Sequence, residues 1–398
     1  MLGDARAADR LSIIVERERA VFDSLREFLA AGNTLTVLLG NHDVELALPA
    51  VQRRLEQILD TGGKPFRFIC DGQAYTVGSA IFEHGNRYDG WNVIDHDGLR
   101  RTRSSQSRKE PLDDDRSFSP PAGSWMVATV MNQIKTRYPF VDLLKPENEA
   151  TLPILLTLAP EYREQLMKLM RLALQAALHA PDDEGRLRYE GDIKANSEDL
   201  ALGRLLKAHV SQEDMEEFFR ILNDACPRRP NRTEEQVSAS LTSKARSLFP
   251  LITKGASTQL SDRLPALRSA LITLRDERSF NLTQESDDYL DPAKRLIKRG
   301  FKVVLFGHTH LAKKVQVGDS LYLNTGTWAD LIKFPYQELD EEFNSSQQWL
   351  TKFVHDMENG QLQSYIVQIP SYAYVELSED GNVLSADIRT FSEESSLL

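Results

Sequence analysis

Cysteine is almost absent from this chain: Cys70 and Cys226 are the only two among 398 residues. That excludes a disulfide framework and a zinc site built from thiolates. Long apolar runs are missing too. The stretch PILLTLAP falls well short of the ~20 residues that a membrane span needs. The opening residues, MLGDARAADR, lack the apolar segment of a secretory signal, so the cytoplasm is the expected compartment. An excess of basic charge is also lacking. At a net charge of -11, an extended surface for tracking nucleic acid is not expected, and divalent cations suit the balance better than polyanions.

What is present is the composition of a soluble globular protein, with 41% hydrophobic and 27% charged residues. The length exceeds one ordinary compact core and fits two domains, or one domain with a large insertion. Residues 5–31 read as one amphipathic helix, with Leu11, Ile14, Val15, Phe22, Leu25, Phe28 and Leu29 at three- and four-residue steps. Gly32 stops it. LTVLLG follows as a strand expected to be buried on both faces. A helix over 49–59 and a strand pattern in AYTVGSAIFEHG complete an α/β alternation. The same grammar returns near residue 291, where Asp291 and Pro292 suit a helix start and Gly300 its end. KVVLFGHTH and SLYLNTGTW then read as strands, and 372–377 with 383–390 as a hairpin. Between the two halves the character is helical, with polar, proline-rich joints. The expected organisation is therefore a core first part at 1–98, a mainly helical insertion or cap at 99–290, and a core second part at 291–398.

The chemistry concentrates at three strand ends. TVLLGNHDVEL ends an apolar run in Gly40-Asn41-His42-Asp43, which is either an ordinary loop or a strand end presenting ligands and a proton donor. His84-Gly85 follows AIFE, and His308-Thr309-His310 follows LFG. Four of the eight histidines lie in these places. In open α/β sheets, ligands bind outside the carboxyl ends of the strands, so these three ends can converge. Nitrogen and oxygen donors without cysteine suit Mn²⁺, Fe or Zn²⁺.

With GNHD at 40–43, His-Gly at 84–85, GHTH at 307–310 and NTGTW at 324–328, the chain resembles the calcineurin-like metallophosphoesterases. The resemblance covers about 35–88 and 301–328. It implies a four-layer αββα sandwich, here N-terminally truncated and carrying the helical insertion. It also implies two divalent metal ions, metal-dependent hydrolysis of a phosphoester or phosphoanhydride, and a phosphorylated small-molecule substrate. Asn41, His84 and His308 would ligate one metal and His310 the other. His42 would act on the phosphate as proton donor or charge stabiliser, with Asp43 orienting its ring.

The departure from the family pattern is the absence of its two N-terminal motifs, D-x-H and G-D-x-x-D, before GNHD. One expectation is that both motifs lie in frame upstream of Met1. The alternative is a non-catalytic scaffold of the same fold without a complete metal site; separately, Asp4 is a candidate for the bridging carboxylate. Arg100, Arg101, Arg103, Arg108 and Lys109 either grip a substrate phosphate or form a solvated loop. Tyr88, Asp89 and Trp91 are candidate pocket residues, Trp91 being equally suited to the core, and His96 reads as an exposed loop histidine. The insertion is either a lid over the site or a surface for partners.

Overall fold

The computed structural model describes residues 4–89, 92–110, 118, 121, 124, 132–144, 153–155, 157–158, 259–275, 280–334, 336–340 and 343–391. It is an α/β fold with several helices and mixed sheets. The reading of helices at 161–250 falls outside the described residues, as do Trp91 and Cys226.

The largest sheet among the described residues has five strands. It runs β3 (Tyr75–Val77), β4 (Ala80–Phe82), β5 (Val303–Phe306), β7 (Ser320–Thr325), β6 (Ala312–Val317). β4, β5 and β7 are parallel, while β3 and β6 pair antiparallel to their neighbours. The unbroken apolar run of β5 reflects burial on both faces: all four of its residues are buried. On one face, Val304, Phe306, Tyr322 and Ile81 pack against Ala293 and Leu296 of helix α7 (Asp287–Lys298). On the other, Val303, Leu305, Leu323 and Ala80 meet Ala373, Val375, Val383, Ala386 and Ile388. These last belong to the hairpin of β10 (Ser371–Leu377) and β11 (Val383–Thr390). Each large aliphatic side chain buried in this way contributes roughly 1.5–3 kcal/mol before entropy is counted.

A second, parallel pair is formed by β1 (Leu35–Leu38) and β2 (Phe66–Ile69). Helices α1 (Asp4–Arg17), α2 (Arg19–Ala30) and α3 (Pro49–Leu59) pack beside it through Ala7, Leu11, Leu29, Leu48, Val51, Leu55 and Leu59. Helix α4 (His96–Ser107) adds Leu99 to a smaller cluster with Leu39, Val44, Ala47 and Ile94. A third core is mainly helical. It joins α5 (Asn132–Arg137) and α6 (Leu260–Leu274) to β8 (Leu331–Ile332), α8 (Tyr336–Asp340), α9 (Phe343–Glu358) and the neighbourhood of β9 (Ile366–Val367).

Several expectations are corrected. The helix expected over 5–31 is two helices, interrupted at Glu18 (φ -107, ψ 35). Ile14 and Phe28, expected on its apolar face, are exposed. The strand expected in AYTVGSAIFEHG is the β3–β4 hairpin, turned at Gly78 (φ +54). All four β1 residues are half-buried rather than enclosed, because β2 is the one strand paired with β1 among the described residues. α7 begins at Asp287 after Ser286, so Pro292 lies inside it rather than in its first turn. The arginines from Arg100 to Arg103 lie on α4, not in a loop, and His96 opens that helix half-buried.

Candidate metal centre

The parallel pairing of β4, β5 and β7 puts their carboxyl ends on one side of the sheet, and the end of β1 meets them there. Asn41, buried to 1% exposure just beyond β1, has its Oδ1 3.0 Å from His84 Nε2. The His84 and His308 rings are edge-to-face with centroids 5.3 Å apart. Backbone contacts fix the two turns to each other, since Gly307 N–H donates to His84 O at 3.0 Å. Gly40 is where the approach is closest: a Cβ there would stand 3.0 Å from Asp43 Oδ1 and 3.2 Å from His84 Cε1.

The G-H-T-H turn holds two histidines in left-handed backbone, with φ of 71° at His308 and 64° at His310. Such conformations are uncommon outside glycine and cost on the order of 1–2 kcal/mol each. Strain of this kind clusters at functional sites. Asn324, fully buried at the end of β7, stabilises the turn by donating from Nδ2 to Gly307 O at 2.7 Å and to Thr309 Oγ1 at 3.0 Å. It also accepts Gly326 N–H through Oδ1 at 3.1 Å.

His84 is held neutral. Burial depresses its pKa first, followed by the charges of His308, His310 and His42, and together they bring it to about 3. His308, His310 and His42 are thus each near enough to His84 for their charge to act on it. A neutral ring is the state in which histidine binds a metal.

His42 is exposed at the rim. Ser124, a residue of the insertion, donates from Oγ to Asn41 O at 2.8 Å and lies 3.2 Å from His42 Nδ1. A hydroxyl has one proton, so with that proton on Asn41 O it accepts from His42 Nδ1–H. His42 Nε2 is then the position at which a proton is gained or lost. Asp43 Oδ1 accepts Gly40 N–H at 2.8 Å. Asp43 keeps solvent-accessible surface, yet crowding of its carboxyl outweighs that hydrogen bond and raises its pKa.

Two polar residues complete the ring of contacts. Asp89 Oδ2 lies 2.9 Å from His308 Nε2, and Asn92 Nδ2 donates to the same oxygen at 2.6 Å. Asn92 Oδ1 accepts from Asn41 Nδ2 at 2.8 Å. Tyr289 of α7 stands beyond, its ring 6.3 Å from that of His308. Asp89 is among the sequence candidates for the pocket, whereas Asn92 and Ser124 carry no motif that marks them.

Among the described residues, no three or more His, Cys, Asp or Glu side chains are grouped so as to hold a metal ion. The amide of Asn41 makes the difference, because it adds an oxygen to the His84 and His308 pair. Its 3.0 Å separation from His84 Nε2 is about that of two adjacent ligands at right angles with bonds near 2.1 Å. That spacing lets Asn41 and His84 share one divalent cation, and His308, its ring 5.3 Å from that of His84, is the third candidate ligand. His310 is the remaining candidate ligand, for a second one. The Asp4 side chain lies outside the described residues. Compared with family profiles, with characterised proteins and with solved structures, the chain matches none.

Proposed function

We propose that this chain is a metal-dependent phosphoesterase acting on a phosphorylated small molecule, through an ester or anhydride bond. The observation that supports the reading best is the Asn41–His84 pair, an amide oxygen and a neutral imidazole nitrogen 3.0 Å apart at the meeting of two strand ends. Asn41, His84 and His308 would hold one cation, and His310 a second. When bound, divalent cations supply a Lewis acid for phosphoryl oxygens and lower the pKa of water. The chain's own contributions are distinct. His42, oriented through Nδ1 by Ser124, presents Nε2 to donate a proton to the leaving oxygen. Asn41 is buried and His84 half-buried, surroundings in which charge on a phosphoryl group is felt more strongly than in water. In this reading the β1–β2 pair and the five-stranded sheet are the inner layers of an αββα sandwich.

A second reading is favoured by one specific observation. The described residues before β1 form the helices α1 and α2, whose buried side chains are apolar and pack against α3. A non-catalytic scaffold that binds one cation would have this appearance.

Calorimetric titration of the purified chain with Mn²⁺, alongside turnover of p-nitrophenyl phosphate, separates the two. The phosphoesterase reading expects Mn²⁺ binding and hydrolysis, both abolished in His84→Ala, with hydrolysis reduced at least 100-fold and binding retained in His42→Ala. Mn²⁺ binding without turnover leaves the scaffold. No Mn²⁺ binding by the wild type overturns both.

A further inference from the structure

We propose that Asp89 and Asn92 are positioning residues, and that the single carboxylate of Asp89 sets which atoms of Asn41 and His308 face a cation. The proposal rests on the cation reading given above, and its test distinguishes the two.

Donors and acceptors alternate from one residue to the next. An ionised carboxylate only accepts. Asp89 Oδ2 takes two contacts, from His308 Nε2 at 2.9 Å and Asn92 Nδ2 at 2.6 Å. The first requires the proton of the His308 ring to sit on Nε2, which leaves the lone pair on Nδ1. The second fixes the rotation of the Asn92 amide, with its NH₂ toward Asp89. The Asn92 oxygen must then face the other way, and it meets Asn41 Nδ2 at 2.8 Å. Asn41 is thereby fixed as well, with its NH₂ toward Asn92 and its oxygen toward His84 Nε2 at 3.0 Å.

An asparagine amide is nearly symmetric in shape, so packing alone does not select which end is oxygen. Here each amide is selected by its neighbour, and the sequence of selections starts at Asp89. Asn92 is itself well held. Its backbone N–H donates to Asp89 O at 3.0 Å and its backbone O accepts from Asn86 Nδ2 at 2.8 Å. Reversing the amide of Asn41 would aim an NH₂ group at a cation, which cannot bind it. Outer residues that orient ligands in this way typically govern metal affinity by about 10–100-fold.

The experiment uses the full chain in four forms: wild type, Asp89→Asn, Asn92→Leu and Tyr365→Phe. Mn²⁺ affinity is read by calorimetry, and the His308 tautomer by ¹⁵N NMR of the metal-free protein. In the wild type, His308 should carry its proton on Nε2. Asp89→Asn offers an amide that can donate or accept, so it should shift His308 toward a mixture of tautomers and weaken Mn²⁺ at least 10-fold. Asn92→Leu retains Asp89 and should leave the tautomer as in the wild type, while affinity falls by a similar factor because Asn41 is released. Tyr365→Phe removes a 2.6 Å bond to Asp356 in the helical core; it should lower thermal stability and leave both readouts unchanged. An unaltered His308 tautomer in Asp89→Asn overturns the proposal, as does wild-type affinity in both site variants. Wild-type protein that binds no Mn²⁺, but whose tautomer shifts as described, removes the cation reading and retains the orienting role of Asp89.

Discussion

His96 places its imidazole against Gly72, where a Cβ would stand 2.7 Å from its Cδ2, and its Nδ1 is buried without a hydrogen-bond partner. Burial, and then the charge of Arg87, lower its pKa from the usual 6.5, with Asp71 and Asp95 acting weakly in the opposite direction. A histidine whose folded pKa is depressed takes up its proton more readily when unfolded. The stability it contributes is complete above about pH 6.5 and is lost as the pH falls below that. Urea unfolding of the metal-free protein should therefore show lower stability at pH 5.5 than at pH 7.5. His96→Gln should reduce that difference without abolishing it, since His84, held to about 3, contributes a share of its own. At this scale the sequence is informative where a residue type is rare: histidines 42, 84, 308 and 310 stand out because there are so few others. Asn92 is invisible by the same criterion. An asparagine shortly after Asp89 looks like any turn residue, and only its two amide contacts separate it from one.

Elements are legible where hydrophobic pattern and punctuation agree. α3 spans Pro49–Leu59, the limits that Pro49 and the apolar spacing suggest. β5 is the fully enclosed strand that its unalternating Val303–Phe306 run implies. Legibility fails where a single glycine carries the whole signal. Gly78 turns the chain between β3 and β4 with little help from its neighbours, so the two strands look like one. The reason for glycine there is visible only in three dimensions: a Cβ at position 78 would stand 1.9 Å from Gly381 O, in the turn between β10 and β11. Ser79 N–H also donates to that carbonyl at 2.9 Å. Gly78→Ala combines this clash with a positive φ and should destabilise the fold by roughly 2–4 kcal/mol, measurable by chemical denaturation. The helical form of α4 was masked by its composition, since a segment rich in Arg, Ser and Gln lacks a wide apolar stripe. Leu99 and Thr102 are the buried contacts that hold it, aided by Asp95 accepting Gly98 N–H at 2.9 Å.

At the scale of the whole molecule, none of the site residues belongs to the helical core. Phe353 of α9 is fully buried there, 5.4 Å from the Phe334 ring and 5.2 Å from that of Tyr365. Phe353→Ala should cost about 3–5 kcal/mol in unfolding free energy. Mn²⁺ affinity, governed by residues beyond β1, β4 and β5, should remain within a few-fold of wild type. Calorimetry of the variant below its melting temperature checks both outcomes. The change of periodicity between the two halves leads to the expectation of a helical region there, of which 132–137 and 260–274 are helical among the described residues. The sequence does not indicate that 331–366 would join that region, since those short strands and helices have no partner until the fold is assembled.

The five-stranded sheet joins β4, which ends at Phe82, to β5, which begins at Val303. On a ribosome adding 5–20 residues per second, the edge of β4 waits roughly 10–40 s for its neighbour to emerge. During that interval the Ala80–Phe82 edge is open to other nascent chains. The turn at Gly78 waits longer still, until Gly381 has been translated. Production of this protein in a foreign host should therefore be governed less by its final stability than by what shields that edge during synthesis.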